Sequence, residues 1–217
     1  MKSLTSRLLA GLALAATAVA AHATSLNPLN DGGWQLVAHM SNTGGMFDGA
    51  GELAAGYSFG TFVANPTGAT ADFQRAFPAP ADKILFITGD RSTWGIADYD
   101  ELRTLIDARG GDFGSNITFE ALINGVQGTV TGNVLSRGGV SEDPWITLRG
   151  SHWDGINNDL IIWGESNYFA AHSDLKNTRG GIDVYILSAS PVPEPGSVAL
   201  AAAGLAVAGL LARRRAA

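Results

Sequence analysis

The sequence predicts a β-rich α+β domain, with a mostly antiparallel sheet and one or two short helices, flanked by an N-terminal signal helix and a C-terminal transmembrane helix. Three observations predict it. Residues 24–191 fall largely into short β-branched and aromatic runs bounded by Gly, Asn, Asp or Pro. One stretch alone carries a convincing helical period, and no strand–helix–strand alternation is visible, so a doubly wound parallel sheet is not expected. Long uncharged apolar runs occur only at the two ends.

Residues 1–23 have the layout of a secretory signal peptide: Lys2 and Arg7, then apolar Leu8 to Ala20, then Ala21-His22-Ala23 as a small-x-small cleavage site. Signal peptidase is therefore an expected partner. The remaining 24–191, about 168 residues, suffice for one domain with a real core. Its nine basic and nineteen acidic residues give it a charge near −10, against −6 for the whole chain. That balance repels nucleic acid and anionic membrane surfaces. The chain has no cysteine, which removes thiol catalysis, thiolate metal sites and disulfides, so packing, hydrogen bonds or a metal must hold an exported domain together. Its 28 glycines follow no fixed period and read as turns and bulges, not as collagen or a solenoid.

The predicted strands run in order over Trp34–Met40, Gly56–Ala64, Lys83–Thr88, Ile117–Ile123, Gly128–Leu135, Trp145–Arg149, Leu160–Trp163 and Ile182–Leu187. Lys83–Thr88 is apolar throughout its centre and reads as buried. In the last strand Ile182, Val184 and Ile186 share one side, and Asp183, Tyr185 and Leu187 the other. The helix begins at a capping box, Asp98 with Glu101, and places Leu102, Leu105 and Ile106 on one face. Gly110-Gly111 stops it. A weaker helical turn is predicted over Thr70–Phe77, ended by Pro78.

After the domain come Val192, Pro193, Glu194, Pro195 and Gly196, an uncharged run from Ser197 to Ala212, and Arg213, Arg214 and Arg215. Sixteen residues at about 1.5 Å each make a helix of roughly 24 Å, slightly short of the ~30 Å hydrocarbon core of a bilayer. The arginines would hold the far end in the cytoplasm. This order of parts resembles the PEP-CTERM sorting signal of exported bacterial proteins. The resemblance implies that the helix (197–212) holds the precursor transiently in the inner membrane. A membrane peptidase, the exosortase, then cuts near Pro-Glu-Pro and passes the product to the cell surface or beyond. A permanent tail anchor is the alternative. A second resemblance covers Asp31-Gly32-Gly33-Trp34-Gln35-Leu36-Val37, which looks like the opening strand of fibrinogen-related and intelectin-like domains, although this chain lacks the cysteines that family pairs. It implies carbohydrate or acetyl-group recognition, often with calcium.

Candidate chemistry concentrates in 151–159. Asp154, Asn157, Asn158 and Asp159 offer hard oxygen ligands in a glycine-bearing loop, the kind calcium accepts, with Asp154 and Asp159 as the charged pair. A polar turn whose Asx side chains bond their own backbone fits the same residues. Trp145, Trp153 and Trp163 bracket the loop, as an aromatic platform for sugars or as core. His39, His152 and His172 show no metal-ligand spacing. Gly56-Tyr57-Ser58-Phe59-Gly60 matches the nucleophile-elbow pattern without the strand-to-helix context it needs. No catalytic residue is assigned and no cofactor is expected, calcium excepted. The reading is an exported binding or structural module of the cell surface or extracellular polysaccharide; the alternative is a polysaccharide-active hydrolase.

Overall fold

A computed structural model describes residues 27–42, 51–77, 80–108, 114–137, 144–150, 160–164 and 173–188. It contains a 3-10 turn (Pro28–Asp31), ten strands and two helices. The strands are β1 (Trp34–Met40), β2 (Phe73–Gln74), β3 (Ala81–Thr88), β4 (Trp94–Asp98), β5 (Ser115–Ile123), β6 (Val126–Leu135), β7 (Trp145–Thr147), β8 (Leu160–Trp163), β9 (Ser173–Asp174) and β10 (Ile182–Ser188). The helices are α1 (Tyr99–Ala108) and α2 (Leu175–Thr178). All ten strands form one sheet, in the order β2-β1-β10-β3-β4-β5-β6-β7-β8-β9. Every pairing is antiparallel except β8 with β9.

The sheet curls. Phe86 of β3 and Trp163 of β8, five places apart in the strand order, bring their ring centroids within 5.9 Å across the core. Ile84, Phe86, Ile117, Phe119, Ile182, Val184 and Ile186 alternate onto this inner face, and α1 closes it with Leu102 and Ile106. Asp98 starts α1 as expected: its Oδ1 accepts from the Glu101 backbone N–H at 3.0 Å, satisfying one of the helix's orphan donors. Tyr99 donates its hydroxyl to Leu53 O at 2.9 Å, and Arg103 donates to Glu52 O at 2.8 Å. The helix thus ties the 51–57 segment over the core.

Two expectations need correcting. Residues 56–64 form no strand; Phe59 makes a single bridge to Gln74, and most of the stretch is exposed. Its aromatics pack locally instead, Tyr57 with Phe59 and Phe62 with Phe73. The helical turn expected over 70–77 is the short edge strand β2, pinned because Gln74 pairs with Ala38 and its side chain accepts from Leu53 N at 2.8 Å. Four elements went unread: the 3-10 turn, β4, β9 and α2. Among the described residues no helix is long and apolar enough to cross a membrane. The predicted signal segment and the 197–212 run lie outside the described residues.

Candidate functional site

The inner face of the sheet is committed to the core, so the chemistry available to partners lies on the outer face and at the strand ends. Side chains of directly paired residues emerge on the same side. Strand register therefore sorts the outer face into rows.

One row crosses β2, β1, β10, β3, β4 and β5 as Phe73, His39, Asp183, Ile87, Trp94 and Leu122. It is closed. His39 and Asp183 are each 1% exposed, and the His39 Nδ1–H donates to Asp183 Oδ1 at 2.7 Å, since an ionised carboxylate only accepts. Arg91 Nη2 lies 2.7 Å from Asp183 Oδ2, and its guanidinium sits over the Tyr185 ring. Burial pushes the Tyr185 hydroxyl above its ordinary pKa of 10.0, with Arg91 opposing. The 88–93 turn that carries Arg91 is held by Asp90, whose Oδ1 accepts from the Thr88 hydroxyl and from the Ser92 hydroxyl and N–H. Partial burial raises the Asp90 carboxyl, but these hydrogen bonds and Arg179 outweigh it, and its pKa falls below 3.8. An Asp-oriented histidine is the geometry of a general base. Here, however, the His39 ring stacks on Phe73, and Nε2 is buried without a hydrogen-bond partner among the described residues. The triad ties β1, β10 and the 88–93 turn together.

At this same end a polar cavity of about 510 Å³ is lined by Thr93, Asn124, Thr178 and Arg179 beside Leu160 and Leu175. Leu160 directly follows the 151–159 loop.

The second feature is an open groove of about 360 Å³ near the opposite end of the sheet. Trp34, Leu187 and Lys83 pair in sequence across β1, β10 and β3; Ile96 of β4 and Glu120 of β5 complete the floor, and Asp31 stands at the end of the 3-10 turn. Gly32 and Gly33 both hold positive φ, and the resulting turn delivers Trp34 to the groove.

The residues singled out from sequence scatter differently. Trp163 is 1% exposed in the inner core, where its indole N–H donates to Glu52 Oε2 at 3.2 Å; Trp145 is 3% exposed in a small cluster with Leu135 and Ile161. Both described members of the expected platform are therefore interior. Trp153 and the loop residues Asp154, Asn157, Asn158 and Asp159 lie outside the described residues, as do His152, His172 and the terminal residues from Val192 to Arg215. Among the described residues no group of three or more His, Asp or Glu is placed to hold a metal ion. Sequence reading missed Asp183, Arg91 and the groove around Trp34. The alternation of Asp183, Tyr185 and Leu187 opposite the isoleucines was the available signal.

Residues 191–215 match the PEP-CTERM protein-sorting motif. The chain thus carries the signature of an exosortase substrate, a precursor that is membrane-anchored and then exported. No curated protein and no solved structure matches the chain.

Proposed function

We propose that the chain is an exosortase-processed exported protein whose β-sheet domain acts as a binding or structural module at the cell surface or in extracellular polysaccharide. The observation that supports this reading is the place of the sorting motif relative to the sheet. β10 is hydrogen-bonded on both sides, to β1 and β3, and ends at Ser188; the motif begins at residue 191. Cutting within the motif removes none of the described strands. The product needs no membrane to keep its core. A thiol-free, acidic domain suits release into the envelope, where its charge keeps it soluble.

Expression of the full-length chain in a host that makes an exosortase tests the reading. Wild type should give a shortened product outside the cell that co-fractionates with extracellular polysaccharide and is freed when that polysaccharide is digested. Glu194→Ala should accumulate as a longer, membrane-bound precursor. A full-length protein dissolved in the cytosol with both ends intact would overturn the export reading; a processed product wholly free in the medium of a polysaccharide-producing culture would overturn the association.

A further inference from the structure

We infer that the open groove on the outer sheet face binds a linear, uncharged saccharide lying across the strands, with one sugar ring stacked on Trp34. The inference rests on the proposed association with extracellular polysaccharide and names the site and the class of glycan.

Shape comes first. The floor residues sit on five neighbouring strands, β1, β10, β3, β4 and β5, so at about 4.8 Å between strands the groove crosses roughly 19 Å of sheet. That is a track for an extended chain, not a socket for a compact molecule. Its 360 Å³ falls at the lower end of ligand-site volumes, as a shallow open track should. A linear peptide is the obvious rival, but peptides join sheets by pairing with free backbone groups at an edge. At the groove β10, β3, β4 and β5 lie inside the sheet, whereas β1 pairs with β2 only at Ala38 and His39, so a peptide would find free backbone groups only along the Trp34 edge, parallel to the strands. Across the strands the groove offers side chains only.

The side chains fit a sugar. A pyranose presents a C–H face and a rim of hydroxyls, and an indole flanked by carboxylates meets both. Among the described tryptophans, Trp94, Trp145 and Trp163 are buried, whereas Trp34 is half-buried and lines the groove. Glu120 at the other end is exposed, and Gln127 Nε2 donates to its Oε1 at 3.1 Å, which fixes one oxygen and leaves the other as an acceptor. Charge selects against acidic glycans. Asp31 and Glu120 face the groove with Lys83, and the Lys83 ammonium already lies 3.6 Å from Asp98 Oδ2. The local balance is negative, like that of the domain, so uronate or sulfate groups are repelled.

The test uses the processed protein recovered from exosortase-producing cells. Tryptophan emission is titrated with cello-, malto- and galacto-oligosaccharides from disaccharide to hexasaccharide, with polygalacturonate as the acidic control. At least one neutral series should shift the emission, saturate, and gain about tenfold in affinity with length. Trp34→Phe should abolish the shift and, in calorimetric titration with the same series, weaken binding by about tenfold or more. Glu120→Gln, whose exposed position leaves folding intact, should weaken binding about tenfold with an unchanged melting curve. The groove assignment is overturned if no neutral series binds, if polygalacturonate binds more tightly, or if both variants bind as wild type does. It is also overturned if sedimentation shows a dimer that Trp34→Phe dissociates, since a second copy would then fill the groove. Matrix retention in the producing cells separates the two claims: retention that survives both variants sinks the groove alone, and absence of retention in wild type sinks the association beneath it.

Discussion

Two rows on one face of one sheet, four residues apart along β10, meet opposite fates. The row through Asp183 is closed and the row through Leu187 is open, at a separation of about 13 Å. Both mix aromatic, aliphatic and charged groups, so composition does not separate them. Cover does. Over the first row the 88–93 turn brings Arg91 down onto Asp183 and Tyr185, and it is locked to the 179–181 turn by Gly89 N–H to Gly181 O at 2.9 Å and Asp90 N–H to Arg179 O at 3.0 Å. Over the second, the 3-10 turn stops at Asp31 and leaves Trp34 half-buried. Polar groups sealed with partners specify the fold; polar groups left at a rim remain available to a ligand.

The sharpest way to break this contrast is Asp183→Ala. A buried ion pair adds little net stability over a well-packed apolar substitute, but removing one partner strands the other in the interior. His39 would lose the acceptor for Nδ1, and Arg91 its carboxylate. Because Arg91 keeps 33% of its side chain exposed and can turn toward water, the loss should fall at the low end of the usual range, about 3 kcal/mol. Chemical denaturation at neutral pH measures it. A loss below about 1 kcal/mol would mean the closed row is not a stability element.

Gly89→Ala attacks the same row through its cover. A Cβ at Gly89 would stand 2.0 Å from Gly180 O, a backbone atom that can move only with its turn. The expected cost is about 2 kcal/mol, in the range of overpacked sites. The Arg91–Asp183 contact should loosen with it. A melting temperature unchanged from wild type would show that the two turns are not locked together.

Much of this layout was legible in sequence and the decisive part was not. Trp34–Met40, Lys83–Thr88, Ile117–Ile123, Leu160–Trp163 and Ile182–Leu187 showed themselves because each is a short apolar run with punctuation at its ends. β4 stayed hidden because Trp94–Asp98 runs into α1 with no turn between, so Asp98 closes a strand and caps a helix at once. The β5–β6 turn carried an overlooked signal, Asn124-Gly125, whose positive φ values of 52° and 77° make the two-residue hairpin. The aromatics of 56–64 suggested a strand, yet propensity there reflects packing against neighbours the sheet does not supply. His39 and Asp183 are 144 residues apart, and only strand order brings them together. The groove is likewise a product of register: no local pattern says that Trp34, Lys83 and Glu120 share a face.

Acid should blur the contrast by a smaller amount. The Asp98 carboxyl is held below 3.8, chiefly by the Glu101 N–H, with Lys83 adding to it against partial desolvation. A depressed folded-state pKa favours the charged form, so this stability is fully present above the unfolded value near 3.8 and disappears as pH falls through the lower folded value. Asp90 behaves the same way at the closed row. Asp98→Ala should cost about 1 kcal/mol at pH 7, a typical helix-cap loss, and should flatten the decline of stability below about pH 4. Equal acid slopes for wild type and variant would assign that decline to other carboxylates.

The smallest expected stability change belongs to the groove, which Glu120 lines. Glu120→Gln leaves side-chain volume almost unchanged and keeps an oxygen to accept from Gln127, at an exposed position on β5. Stability should move by no more than about 0.5 kcal/mol, the range of ordinary surface changes. Set beside Asp183→Ala, the pair forms a direct comparison, since each alters one carboxylate on the same sheet face. If Glu120→Gln proved as costly as Asp183→Ala, the groove would be part of the folding framework. Its openness would then reflect no division of labour along β10. If the change is silent in denaturation and visible in saccharide titration, the closed row and the groove are functionally distinct, and the groove is the part kept free for a ligand.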